Sequence, residues 1–167
     1  MRTELYTLDR EDLAILEGEV PDYVINRAHD PGYFTLGAVV ADGDEETVVG
    51  IAQFFINITP EGECFSEMIY VYVTEKYRHQ GIGTKMVERV SRVLKKSSVK
   101  TSTFILPDTI DERLGYESDA NVITKFFKEC DYITAKDEKD VWITVMGEII
   151  PGIEKRKVTR FVRFTGR

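Results

Sequence analysis

Up to Val73 the apolar positions of this chain fall in β-branched and aromatic runs, and from Ile82 they recur every third or fourth residue. The change of period predicts strands first and a helix after them. The runs "YFTLGAVV" (33–40), "ETVVGIAQFFINI" (46–58) and "FSEMIYVYV" (65–73) read as consecutive antiparallel strands, because "ADGDE" and "TPEGE" between them carry hairpin chemistry. Alternation along the third run places Glu67, Ile69, Val71 and Val73 on one face and Met68, Tyr70 and Tyr72 on the other. Beyond it, Ile82, Met86, Val87, Val90, Val93 and Leu94 form one helical stripe, with Lys85, Glu88, Arg89, Arg92 and Lys96 opposite.

The flanks are read the same way. A short strand is expected at 5–7, a capped helix start at Asp9 and Asp12, and a second helix from Pro21 that ends before Pro31. "TSTFILP" (101–107) predicts a strand, "DTIDERLGYESD" a loop, "ANVITKFFKEC" a helix and "DVWITVM" (140–146) a final strand. This order predicts one α/β domain over residues 1–150, its sheet antiparallel at one end and parallel at the other. Residues 151–167 carry six basic residues and one acidic, and read as a basic extension: an added strand, a linker or a solvated end. That extension offers an edge for strand exchange between two copies, so a homodimer is left open.

Length and charge narrow the class. A chain of 167 residues, 43% hydrophobic, suits a single core, and a net charge of −7 argues against nonspecific nucleic-acid binding. Small molecules or cations are the expected partners. The N-terminus lacks the apolar core of a signal peptide, and "VVGIAQFFINI" falls far short of the ~20 residues that span a bilayer, so a cytoplasmic protein without a membrane partner is expected. Cys64 and Cys130 lie outside any CxxC pattern, and with only His29 and His79 there is no zinc set, so no metal is expected.

The chemistry-bearing stretch is "VTEKYRHQGIGTKMVERV" (73–90), where Gly81 and Gly83 follow a strand and open a helix. Free N–H groups of a first helical turn converge there and the macrodipole adds positive potential, so an anion such as a phosphate is the natural occupant. The dinucleotide fingerprint fails because Met86 stands where a third glycine is needed. The Walker loop fails because Thr84 follows Gly83. A tight strand-to-helix connection with no ligand would also use such glycines.

"RHQGIG", Arg78 to Gly83, resembles the Arg/Gln-x-x-Gly-x-Gly/Ala pyrophosphate motif of the GNAT superfamily of N-acetyltransferases, and "MIYVYV" ahead of it is similar to that family's fourth strand. The order of elements is similar over most of the chain. The resemblance implies an α/β (α+β) acyl-CoA N-acyltransferase fold: a mixed, mostly antiparallel sheet with splayed fourth and fifth strands and helices on both faces. It implies acetyl-CoA as acyl donor, its diphosphate held by Arg78, His79, Gln80, Gly81, Ile82, Gly83 and Thr84. Its pantetheine would pair with the main chain of Val71 and Val73, and the Val71 N–H would face the thioester carbonyl.

An alkyl ammonium, with a pKa of about 10.4, must lose a proton before it attacks a thioester. Glu67 stands where several family members carry a general-base glutamate, and by strand parity it shares the face of Val71. Many members place a proton-donating Tyr where this chain has Phe127, which cannot donate; water or another hydroxyl such as Tyr116 would serve instead. Asn121 is one residue out of register with the Asn often found at that helix start. Phe126 and Phe127 read as core by their spacing. Glu17, Glu19, Asp22, Asp30, Asp108, Asp111 and Glu112 would attract a cationic amine if they lined one mouth. The expected activity is acetyl transfer to a primary amine of a small molecule or protein. The alternative is a non-catalytic acyl-CoA-binding regulatory or interaction domain of the same fold.

Overall fold

The computed structural model describes residues 2–28, 30–58, 60–107, 120–136, 141–142, 144–145, 148–149, 155–156 and 158–165. Contacts divide the chain into two compact units, Met1–Ser102 with Thr165–Arg167, and Thr103–Phe164.

The first unit is an antiparallel meander: β1 (Arg2–Thr7) pairs with β2 (Tyr33–Asp42), β2 with β3 (Glu45–Ile58), and β3 with β4 (Cys64–Val73). The three expected strands are present at nearly the expected bounds. Two bulges interrupt their pairing. Ala38 and Val39 pair with Gly50 and Val48, which skips Val49, and Gln53 and Phe54 pair with Tyr70 and Met68, which skips Ile69.

Helices cover both faces of the meander. On one face lie a 3-10 helix (Asp12–Leu16) and the short α1 (Asp22–Asn26). Asp9 and Asp12 cap this start reciprocally, each backbone N–H donating to the other's carboxylate, at 3.1 and 2.9 Å. The buried Gln53 anchors α1 to the sheet: its Nε2 donates to the Val24 carbonyl at 2.7 Å and to Thr35 Oγ1 at 3.1 Å. On the opposite face lies α2 (Ile82–Lys96), which buries Ile82, Met86, Val87, Val90 and Leu94, whereas Val93 is only half-buried. Each such side chain contributes roughly 1.5–3 kcal/mol by leaving water. Gly50 lets α2 approach closely, since a Cβ there would lie 3.1 Å from Met86 Cε and 3.0 Å from the Tyr72 carbonyl oxygen.

The second unit holds most of β5 (Thr101–Pro107), α3 (Ala120–Glu129), β6 (Ile133–Lys136) and, later in the chain, β11 (Val158–Phe164). β11 lies between β5 and β6 and runs antiparallel to β6. Its core is aromatic. Phe127 stacks on Phe104 at 4.3 Å and meets Phe161 at 5.4 Å and Tyr132 at 5.1 Å. The single strand expected at 140–146 is not formed. In its place β7 (Val141–Trp142) pairs with β10 (Lys155–Arg156), and β8 (Thr144–Val145) with β9 (Glu148–Ile149). The long C-terminal strand comes from the basic tail, where "VTRFVRF" puts Phe161, fully buried, between arginines. The chain then returns to the first unit, where Thr165 donates from its N–H to the Lys100 carbonyl at 2.9 Å and from Oγ1 to the Val99 carbonyl at 2.6 Å.

Candidate functional site

After β4 the chain makes a 3-10 turn (Glu75–Tyr77) and enters α2 through Arg78–Gly81. Gly81 is the residue before the helix, with φ 80° and ψ 4°, a left-handed conformation that a side chain disfavours. A Cβ added there would meet nothing within 4 Å, so the position opens onto space and the demand for glycine is conformational. The Gly81 carbonyl accepts the Lys85 N–H at 3.0 Å. The amides of Ile82, Gly83 and Thr84 therefore precede the helical ladder, at the positive end of a 15-residue helix whose first turn holds no acidic side chain. His79, also left-handed at φ 62°, and Gln80 are exposed on the rim of this turn.

Arg78 is oriented by the strand it follows. Its Nε donates to the Val73 carbonyl at 2.7 Å, and its guanidinium sits over the Tyr72 ring, 5.3 Å from the centroid. Tyr72 in turn donates its hydroxyl to Glu19 Oε2 at 3.0 Å, which also accepts from Thr74 Oγ1 at 3.3 Å. The Thr74 N–H donates to the Val49 carbonyl at 2.8 Å, so the peptide groups of Thr74 and Tyr72 point to β3 and those of Val71 and Val73 point away from it. Val71 and Val73 thus present main-chain groups at the free side of β4, with the Val73 carbonyl already taken by Arg78.

Strand parity had put Glu67 on the face of Val71, and the bulge at Ile69 overturns that. Glu67 pairs with Phe55 and Val71 with Ala52, three positions apart on β3 and so on opposite faces. For the same reason Met68, paired with Phe54, does not share the face of Tyr70, paired with Gln53. Glu67, Tyr70 and Tyr72 lie together on the α1 face. Next to them Tyr33 packs on Phe55 at 4.7 Å between centroids. Burial raises the Tyr33 pKa, Arg27 pulls it down, and the carboxylates of Glu67 and Asp30 push it up again.

The model of the acetyltransferase (GNAT) family matches residues 2–113. This chain belongs to the GNAT acetyltransferase family. No curated protein matches it. Arabidopsis thaliana NAA60 in complex with acetyl-CoA superposes with a TM-score of 0.70 at 13% identity, over 98% of this chain and 99% of that one. The NatC complex bound to Gag peptide and CoA gives 0.65 at 12%, over 97% and 98%. A spermidine N-acetyltransferase SpeG chimera from Vibrio cholerae and hSSAT gives 0.64 at 10%, over 99% and 98%. At these identities the likeness shows the fold alone, and that fold is the mixed α/β GNAT fold expected from the residues.

Other residues singled out from the sequence are less gathered. Glu19 is bonded to Tyr72 and Thr74, Asp30 pairs with Arg27 at 3.2 Å, and Glu17 and Asp22 are exposed on the surface. Phe127 is buried in the aromatic core of the second unit. His29, Asp108, Asp111, Glu112, Tyr116 and the side chain of Asn121 lie outside the described residues. Among the described residues no group of three or more metal-ligating side chains occurs, and no helix is long and apolar enough to cross a membrane. The Ile69 bulge and the Tyr33–Phe55 pair were not foreseen. "MIYVYV" holds no glycine or proline to mark a bulge, and only pairing to β3 reveals it.

Proposed function

We propose that this GNAT protein transfers the acetyl group of acetyl-CoA to a primary amine by direct attack, with Glu67 as the base. The observation that carries the reading is the Arg78–Thr84 turn: a left-handed glycine opening onto space, helix-start amides behind it, and an arginine fixed beside it. These features fit a diphosphate, with Gly81 to Thr84 donating main-chain N–H groups and Arg78 supplying charge. His79 and Gln80 contribute backbone on the rim.

Acetyl-CoA supplies an activated acyl group on sulfur. Val71 would donate its N–H, which points away from β3, to the thioester oxygen and stabilise the negative charge that develops there. The N–H lies in the plane of the sheet, so the flip of the Val71 side chain to the α2 face does not affect it. Glu67, on the α1 face, would take the proton from an amine arriving on that face, directly or through one water. As the carbon–nitrogen bond forms and the carbon–sulfur bond breaks, a solvent proton reaches the departing thiolate, since Phe127 has none to give.

A second reading, a CoA-binding domain without catalysis, is favoured by Phe127, buried at 3% exposure where many family members place a tyrosine. Thiol release from acetyl-CoA across an amine library decides between them. Turnover that collapses in Glu67→Gln supports the enzyme; binding without turnover across the library supports the alternative.

A further inference from the structure

Tyr33, Phe55 and Glu67 stand in one register row across β2, β3 and β4, a span of two interstrand steps or about 10 Å. Between the ends of the row the Tyr33 and Phe55 rings form a half-buried aromatic floor. At the Tyr33 end the Asp30 carbonyl accepts the Tyr33 N–H at 3.0 Å, and Arg27 Nη1 donates to Asp30 Oδ2 at 3.2 Å. Among the described residues that is the one hydrogen bond between their side chains and any partner, and both are about a third exposed, at 36% and 41%. The remaining guanidinium donors of Arg27 and the second oxygen of Asp30 face outward. Glu67, Asp30 and Arg27 all act electrostatically on the Tyr33 hydroxyl, so the three charges converge on one place.

We propose that this row is the acceptor subsite and takes a free diamino acid of the lysine or ornithine type. Its carboxylate would pair with Arg27 and its α-ammonium with Asp30. Its alkyl chain would cross the Phe55 and Tyr33 rings and its terminal amine would reach Glu67. The proposal rests on the reading of Glu67 as base, and charge selects the ligand. The site holds two carboxylates and one guanidinium, and a diamino acid, with two ammonium groups and one carboxylate, matches each with an opposite charge. A plain diamine sets its second cation beside Arg27, a monoamine leaves the ion pair unused, and a lysine within a polypeptide lacks the free α-groups. In the reaction the terminal ammonium loses one proton to Glu67 and a second as the bond to the acetyl carbon forms. One proton ends on the CoA sulfur and the other in solvent.

The test compares kcat/KM for lysine and ornithine with that for the diamines left by removing their carboxyl groups, using acetyl-CoA as donor. The diamino acids are expected to be preferred by about tenfold or more, the worth of a charge-assisted hydrogen bond, with acetyl on the terminal nitrogen. Arg27→Gln should bring the ratio near one while turnover of the diamine persists, and Arg27→Lys should keep part of the preference. Preference for the diamine, or a ratio unmoved in Arg27→Gln, would overturn the subsite and leave the acetyltransferase reading standing. Titration of lysine onto the CoA-bound protein gives a readout independent of turnover. Saturable binding weakened in Arg27→Gln supports the subsite, and no binding rejects it. CoA binding with no acetylation of any amine would instead remove the acetyltransferase reading itself.

Discussion

Glu67 and Tyr70 share a face of β4 although three positions separate them, because the unpaired Ile69 adds one residue to the strand between them. The bulge has two effects. It turns the carboxylate to the α1 face, and it leaves the main chain of Val71 and Val73 aimed away from β3, so the proposed base and the proposed oxyanion donor approach one reacting carbon from different directions.

Replacing Glu67 with Gln keeps shape and removes the base. We expect kcat to fall by about 10²–10⁴-fold while the affinity for CoA, held on the Arg78–Thr84 turn, stays the same. Steady-state rates together with CoA titration check this.

Arg78 has its Nε on the Val73 carbonyl and its guanidinium over Tyr72. Arg78→Ala should weaken CoA binding by about tenfold or more, as expected for loss of a charge-assisted contact. Arg78→Lys should restore only part, since an ammonium cannot both reach the carbonyl and lie flat over the ring. Calorimetric titration of the two variants separates charge from geometry.

Gly81 tests the backbone alone. With φ 80° and open space where a Cβ would point, Gly81→Ala meets no clash, and its cost of about 1–2 kcal/mol is that of the left-handed conformation. A lower denaturation midpoint with a parallel loss of CoA affinity is the expected outcome.

Tyr23 on α1 carries a pH signature. Burial lifts its phenol from the ordinary 10.0 to about 12. The folded protein therefore holds this proton after the unfolded chain has released it. The stability it contributes is intact below pH 10.0 and is lost as pH rises toward about 12. Denaturant titrations across this range should show the decline, and Tyr23→Phe should flatten it.

Much of this was legible in the residues and some was not, for physical reasons. The meander announced itself through β-branched runs bounded by turn residues, and α2 through a stripe that Met86, Val87, Val90 and Leu94 bury. The turn at Gly81 was legible because only glycine takes that conformation cheaply. Strand parity at Glu67 was not, since a bulge depends on which β3 residue each β4 residue meets, and pairing is nonlocal. The C-terminal strand was masked by charge, as the arginines around Phe161 read as a solvated tail. The two early helices were read as longer than they are: Asp9 and Asp12 cap a start as expected, yet only a 3-10 segment and a five-residue α1 follow.

The central claim is that a diphosphate rests on the start of α2. Crystallographic density of the CoA complex tests it most directly. The diphosphate should lie on the amides of Gly81 to Thr84 beside Arg78, with the thioester end running along Val71. Density placing the diphosphate away from that turn would contradict the account.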